Sequence, residues 1–470
     1  MEVPTLAHPK DLDVSHATFT APDLSAFCLL DAHGLTVTGQ QIAPDGALLE
    51  CRATDRDPFC RGCGTEGTPR GTVTRRLAHV PLGWRPTTLL VRVRRFGCDT
   101  CGTVWREDTT SAAEPRAKLT RAAVRWALEA VVCQHLPVAR VAESLDVSWH
   151  AANDAILAEG QRLLIDDPSR FDGVTTIGVD EHVWRHTRLG DKYVTVIIDL
   201  TPVREKTGPA RLLDMVTGRS KNAFKTWLSG RPKAWRDGID IVAMDGFTGY
   251  KTAAGEEIPD ATAVMDPFHV VQLFGDALDK TRQRVQQETL GHRGRKGDPL
   301  YGCRRLLRTG LGLLKQHQLA KLESVFDAHP DHVAVEITWD IYQRAVAAYR
   351  HNKPATGKKI FERVIAQLTT GVPKDLPELI TLGRTIKRRS ADILAFFDHP
   401  GTSNGPAEAI NGRLEHLRGT ALGFRNLTNY IARSLLDTGG FKPLLHPQTR
   451  CEAPWVSFRG QDATGAESWS

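Results

Sequence analysis

The residues best suited to chemistry in this 470-residue chain are carboxylates and thiols. Asp180 falls inside a short apolar run, TTIGVDEHVW, that reads as a strand, whereas Asp245 closes IDIVAMD and Asp266 closes ATAVMD. Acids at strand ends in an open α/β sheet stand where ligands usually bind, and three placed this way invite a metal ion. Successive strand side chains face opposite ways, so Asp180 and Glu181 cannot both point at one ion. Cys60 and Cys63 form one C-x-x-C pair (FCRGCG), and Cys98 and Cys101 form another (FGCDTCG), each followed by a glycine that permits a tight turn. Four thiolates can close a tetrahedral Zn²⁺ site of the structural kind. Cys51 is close enough in sequence to be an extra or alternative ligand, while Cys28, Cys133, Cys303 and Cys451 are isolated and read as structural.

These groups need elements to position them. TTIGVDEHVW, KYVTVIIDL and RLLDMV suggest three antiparallel strands; a helix (SKNAFKTWL), a strand, a second helix from Tyr250 and a further strand follow. The alternation predicts an α/β unit whose later strands join in parallel. That order is also the order of the RNase H-like fold, although periodicity alone gives only α/β. Between the thiol pairs, Val91 and Val93 alternate with Arg92 and Arg94 as in a half-exposed strand, and the whole reads as a zinc ribbon. Beyond it, Val124, Leu128, Val131 and Val132 recur at helical spacing, a second helix covers about Val138 to Leu145, and Ser148 is an N-cap for a third from Trp149. This is the order of a helix-turn-helix and also of an ordinary helical hairpin. In the first case Trp149, His150 and Asn153 lie near the start of the recognition helix.

The net charge of +6 is too mild to identify a partner, but its distribution is informative. Seven arginines and no acid fall between Arg70 and Gly97, and a second basic stretch runs from Lys280 to Arg308. Arg75, Arg76, Arg92, Arg94 and Arg95 are accordingly candidate contacts to the phosphates of double-stranded DNA. No apolar run approaches the roughly 20 residues needed to span a bilayer, and the first residues lack the pattern of a signal peptide. The expected location is the cytoplasm, at the nucleoid, where nine cysteines stay reduced rather than forming a disulfide framework.

GVDEHVW, VAMDGFTGY, VMDPFHVV and TSNGPAEAINGRLEHLRGTALGFRN together resemble the DDE transposases of bacterial insertion sequences, specifically the ISL3 family. The resemblance implies a zinc-binding N-terminus, a helix-turn-helix and an RNase H-like catalytic domain. It also implies Asp180, Asp245 and Glu408 as the catalytic carboxylates, holding two Mg²⁺ (or Mn²⁺) ions. The implied reaction is hydrolysis at the terminal inverted repeats to give a 3′-hydroxyl, then attack on target DNA by a homodimer or higher assembly. Asp266, His269 and Asn411 are secondary candidates. Asp266 before Pro267 is itself an N-cap signal. Glu408 has a structural reading too: with Gly405 as cap and Pro406 first, it falls third in its helix and favours the dipole. Asn411 and Glu415 share its face.

The expected layout is an N-terminal segment (1–50), zinc ribbon (51–110), helix-turn-helix (111–170), first part of the core (171–284), α-helical insertion (285–399), second part of the core (400–450) and a flexible tail (451–470). The insertion follows from the spacing of 163 positions between Asp245 and Glu408. It contacts DNA or a second subunit, with Lys387, Arg388 and Arg389 as phosphate candidates, or it is a scaffold closing one sheet face. Two alternatives stand beside this reading: a transcription regulator, in which the ribbon and helix-turn-helix do the work and the central and late motifs go unexplained, and a domesticated or non-mobile RNase H-like nuclease that cuts without joining.

Overall fold

The computed structural model describes residues 23–187 and 192–446; Cys451 and the tail lie outside them. Two compact units result, Met1–Gly160 and Gln161–Ser470.

In the first unit, β1 (Leu35–Ala43), β2 (Gly46–Ala53), β3 (Thr68–Leu82), β4 (Arg85–Gly97) and β5 (Val104–Arg106) form a sheet in the order β1-β2-β4-β3, with β5 beside β4. Alternation along β4 buries Leu89, Val91 and Val93 and leaves Arg92 outside, as its period of two requires. The sheet reaches back to Leu35, ahead of the expected boundary at residue 51, because β2 pairs in parallel with β4 from Ala47↔Thr87 to Arg52↔Arg92. Cys51 therefore lies fully buried in the sheet's core, where burial pushes its thiol up to about 12. It packs there rather than serving as a zinc ligand.

Three helices follow: α1 (Arg121–Val132), α2 (Val138–Ser144) and α3 (Trp149–Gly160). Thr120 Oγ1 accepts from Ala123 N–H to cap α1 and lies 2.9 Å from His79 Nδ1, which docks the helices on β3. Asp146 turns the chain between α2 and α3 at a φ of 51°, and Ser148 Oγ accepts from Ala151 N–H at 3.2 Å as the next cap.

The second unit contains β6 (Thr176–Val183), β7 (Tyr193–Asp199), β8 (Arg211–Thr217), β9 (Ile241–Met244) and β10 (Thr262–Met265), in the order β10-β9-β6-β7-β8. β6, β7 and β8 are antiparallel; β9 and β10 join beside β6 in parallel. Helices α4 (Lys221–Ser229) and α5 (Thr248–Glu257) cover one face through Phe224, Trp227 and Tyr250, packed against Val179, Ile197 and Val242.

Helix α6 (Pro267–Leu290) leaves the sheet and packs with α7 (Gln316–Asp327), α8 (Val333–Arg350), α9 (Pro354–Thr370), α10 (Pro377–Arg388) and α11 (Ser390–Asp398). Phe274, Leu278, Ala345, Phe361, Ile386 and Ile393 lie in their shared core, so the long interval between Asp245 and Glu408 has its own apolar interior. The chain returns as α12 (Gly405–Thr420) and α13 (Leu427–Thr438). Among the described residues no helix is long and apolar enough to cross a membrane.

Gly178 permits the close approach of α12 to β6. A Cβ there would lie 2.7 Å from Ile198 Cγ1 and 3.0 Å from Asn404 Oδ1. Gly178→Ala is expected to cost about 1–3 kcal/mol through this overpacking. The check is urea denaturation, in which the midpoint should fall with little change in slope; an unchanged midpoint would show that the neighbours yield freely.

Candidate active site

Register places the acids. Val179 pairs with Met244, and Met244 with Met265, so the next residues along the three parallel strands are Asp180, Asp245 and Asp266. Residues at one register position of adjacent parallel strands share a face about 4.8 Å apart, which sets the three carboxylates in a row at the carboxyl edge.

One of the three is consumed by structure. Asp266 is 2% exposed; its Oδ2 accepts from the N–H groups of Phe268 (3.0 Å) and His269 (3.4 Å), and its Oδ1 accepts from Asn404 N–H at 2.7 Å. It caps α6 and fastens the start of α12. The N-cap reading of Asp-Pro thus describes its contacts.

Asp180 and Asp245 carry fewer obligations. Asp180 Oδ1 accepts from Glu181 N–H (2.8 Å) and Oδ2 from Asn411 Nδ2 (3.0 Å), while Asp245 Oδ1 accepts from Phe247 N–H (2.8 Å). Burial, reinforced by the charge of Asp245, pushes the Asp180 carboxyl up to about 6. Asp245 is raised as well, mainly by burial and also by Glu181, against the opposing charges of His269 and Arg389. His269 Nδ1 lies 3.4 Å from Asp266 Oδ2, and Asp266, aided by Asp245 and Asp180, raises its basicity. Two crowded carboxylates form a hard-oxygen donor set that fits a divalent cation. Asn411 Oδ1, buried and without a hydrogen-bond partner among the described residues, adds a neutral oxygen beside them.

Glu408 is placed differently. Asn404, not Gly405, is the N-cap of α12, because the chain is already helical at Gly405; Glu408 N–H bonds Asn404 O at 3.2 Å. Asn404 Nδ2 donates to Val179 O at 3.3 Å, and Asn411 reaches Asp180. Residues 404, 408 and 411 recur on one helix face, so Glu408 lies between two side chains that touch β6, one at Val179 and one at Asp180. Its carboxylate is exposed. Among the described residues the cysteine cluster alone groups three or more potential ligand atoms within 4.8 Å, so Glu408 is not drawn into an ion-sized cluster with the aspartates. α13 holds α12 from behind: His182 Nε2 and Tyr430 Oη are 2.8 Å apart, and Tyr430 Oη also donates to Leu414 O at 3.4 Å. Asn404 and Tyr430 escape a sequence reading directed at charged groups, although the Asn-Gly-Pro helix start is a legible signal for the first.

Arg389, expected to face phosphate, is 5% exposed. Its guanidinium donates to Gly246 O and lies 3.4 Å from Asp392 Oδ2, while Asp392 accepts from Lys251 Nζ at 2.7 and 2.8 Å. The helical insertion is thereby fastened to the turn after Asp245, with no guanidinium left for DNA. Lys387 and Arg388 remain exposed. Arg389→Ala is expected to destabilise the protein by about 3–5 kcal/mol, the cost of breaking a buried pair. Thermal denaturation checks this, and an unaltered midpoint would contradict the fastening role.

The four thiols of the first unit meet as their spacing requires. Cys60 and Cys101 Sγ are 3.5 Å apart, Cys63 and Cys98 3.4 Å, and all four fall within 4.8 Å. A tetrahedron with Zn–S near 2.3 Å has edges of about 3.8 Å. Gly64 and Gly102, at φ of 74° and 72°, turn the chain so that their N–H groups bond the carbonyls of Cys60 (2.8 Å) and Cys98 (2.9 Å). Thr103, hydrogen-bonded to Cys101, lowers that thiol to about 6, which favours the ligating thiolate.

The nearby arginines are more engaged than their run suggests. Arg75 bonds Thr109 Oγ1 at 2.9 Å and the carbonyls of Ala113, Glu114 and Ala117, a structural anchor rather than a phosphate contact. Arg94 pairs with Glu107 at 2.5 Å and Arg92 with Glu50 at 3.3 Å. Arg76 is exposed and 3.9 Å from Asp146, and Arg95 is half-buried. At the start of α3, Trp149 and His150 are exposed, whereas Asn153 is 4% exposed on the packed face and cannot read a groove.

Paired carboxylates at the edge of an α/β sheet are a donor set of the kind that suits a divalent cation, and the comparisons with known proteins identify the enzyme class. Residues 177–434, more than half the chain, match the DDE ISL3 family described as Transposase. The chain belongs to this family of DDE transposases, and it is a DNA transposase, an enzyme of DNA cleavage and strand transfer that uses divalent metal. The transposase for insertion sequence element IS1557 of Mycobacterium tuberculosis is 27% identical over 446 residues, covering 86% of this chain and 93% of that protein. The transposase for insertion sequence element IS1001 of Bordetella parapertussis is 23% identical over 378 residues, 80% of this chain and 87% of the relative. Among solved structures, the Drosophila P element transposase strand transfer complex matches at 9% identity and a TM-score of 0.39, covering 67% of this chain and 90% of that one.

Proposed function

We propose that Asp180, Asp245 and Glu408 are the catalytic carboxylates, acting on the terminal inverted repeats of an insertion sequence and then on target DNA. The observation that carries this reading is the in-register pair of Asp180, buried, and Asp245, half-buried, at the open edge of the sheet, both carboxyls raised mainly by burial and that of Asp180 further by the charge of Asp245. Glu408 completes the set on the helix that Asn404 and Asn411 hold against β6. The sheet order, three antiparallel strands followed by two parallel ones on the other side of β6, supports an RNase H-like core interrupted by the helices between α6 and α12.

The carboxylates suit Mg²⁺ or Mn²⁺, two ions being the number needed to serve both sides of one phosphorus. When bound, such ions supply Lewis-acid activation of the attacking oxygen and charge stabilisation of the leaving oxygen. The chain's own residues fix the geometry. Asp266 anchors α6 and α12, Arg389 anchors the turn after Asp245, and Asn411 orients Asp180. The thiol cluster holds structural Zn²⁺, and α1 to α3 form a helix-turn-helix that presents Trp149 and His150 to DNA, with Arg76, Arg95, Lys387 and Arg388 as phosphate contacts. The active form is a homodimer or larger assembly on DNA, working in the cytoplasm at the nucleoid.

A joining assay tests the function. A duplex with a pre-formed 3′-hydroxyl at the element's end is incubated with a plasmid target and Mg²⁺. Covalent insertion of the end into the plasmid is expected; plasmid nicking without insertion would make the protein a nuclease instead.

A further inference from the structure

After α6 the chain runs through Gly291-His292-Arg293-Gly294-Arg295-Lys296-Gly297 before Asp298. Gly291, Gly294 and Gly297 have φ of 73°, 119° and 108°, and the last two values belong to backbone that glycine alone adopts readily. Gly294 also lacks room for a side chain, since a Cβ would lie 2.8 Å from both Gln286 Oε1 and Tyr301 Cδ2. The loop is thus held in a particular shape against α6.

Its polar groups are divided by sign. Asp298, the one acid in the segment, turns inward: Oδ2 accepts from Arg295 N–H at 2.6 Å and from Gln286 Nε2 at 3.3 Å, and lies 3.6 Å from His292 Nδ1. Gln286 in turn accepts from buried Arg282 at 2.6 Å. The side chains of Arg293, Arg295 and Lys296 are exposed, as is that of Arg305 just beyond, and none has an acidic partner among the described residues. Arg92 and Arg94, by contrast, are paired with acids, Glu50 of β2 and Glu107 just after β5. A shaped loop that spends its acid on its own backbone keeps its cations concentrated, and a polyanion relieves that repulsion by releasing its counterions.

We propose that the loop 291–297 is a contact surface for the phosphate backbone of duplex DNA, additional to the helix-turn-helix and the carboxylate row. The inference rests on the reading of the chain as acting on DNA. Backbone contact carries no base information, so the surface holds DNA of any sequence.

The test measures binding of the full-length protein to a mixed-sequence duplex over a salt series, comparing wild type with the triple variant R293Q/R295Q/K296Q. Each lost phosphate contact removes about 0.9 from the slope of log K against log salt, so the triple variant is expected to lose about 2 to 3 units of slope and at least about tenfold in affinity. Gly294→Ala, which keeps every charge but disturbs the loop, is expected to weaken binding as well. An unchanged slope in the triple variant, with wild type binding normally, would overturn the loop's role and leave the transposase reading intact. Weaker binding at unaltered slope also counts against phosphate contact. Failure of the wild type to bind duplex DNA would overturn both.

Discussion

Asp180→Asn is expected to move activity and stability in opposite directions. Strand cleavage should fall by at least about a thousandfold, because a neutral amide replaces a carboxylate where charge must be balanced in the transition state. The metal-free protein should become more stable by about 2–3 kcal/mol at pH 7.5, since the wild-type carboxyl is raised from 3.8 to about 6. The sign follows from linkage. A carboxyl raised in the folded state exacts no cost below its unfolded value, a growing cost between about 4 and 6, and the full cost above. The gain should therefore shrink toward zero as the pH is lowered to about 4. The asparagine fits because Asn411 Oδ1, otherwise without a partner among the described residues, can accept from the new amide after rotation. Thermal melts of both proteins without and with Mg²⁺ provide the check: the ion should raise the midpoint of the wild type well above its effect on the variant. A variant less stable than wild type at pH 7.5 would remove the electrostatic account of the site.

The second large effect is on the first unit. Cys60→Ser or Cys98→Ser is expected to reduce bound zinc from one ion per chain to none and to abolish binding to the element's ends. Structural zinc sites contribute about 10–16 kcal/mol in small domains, which is large beside the stability of any single unit. Metal analysis of the purified variants checks the first half, and retention of zinc at full stoichiometry would refute the four-thiolate site. Loss of zinc with undiminished end binding would separate the knuckles from DNA recognition.

These expectations differ in how far they could be read from the chain. The five strands of the second unit were legible because each is a short apolar run bounded by charged or turn-forming residues, and the acids that end β9 and β10 were visible at once. The capping role of Asp266 was legible in the Asp-Pro pair, but its second task was not: Asn404 reaches it from 138 residues away, and no local pattern reports that bond. The same reason governs the arginines. Between Arg70 and Gly97 there is no acid, yet Glu50 arrives from β2 and Glu107 from the residue after β5 to pair with Arg92 and Arg94. Arg389 looked like the end of an exposed basic triplet, but α10 ends there and the guanidinium turns inward to Gly246 and Asp392. For Asn153 the hairpin's packing decided: Ala152 and Ile156 are buried on either side, and the asparagine goes in with them. Spacing identifies groups that can act, whereas long-range pairing determines which of them remain free.

The central claim is that Asp180, Asp245 and Glu408 act together. The most direct test is cleavage of a duplex bearing the element's end in Mg²⁺, comparing wild type with Asp180→Ala, Asp245→Ala and Glu408→Ala under matched conditions. The account predicts cleavage by the wild type and none detectable by any of the three variants, each still able to bind the duplex. Undiminished cleavage by the two aspartate variants would contradict the site itself; undiminished cleavage by Glu408→Ala alone would leave the aspartate pair in place and remove the third carboxylate from it.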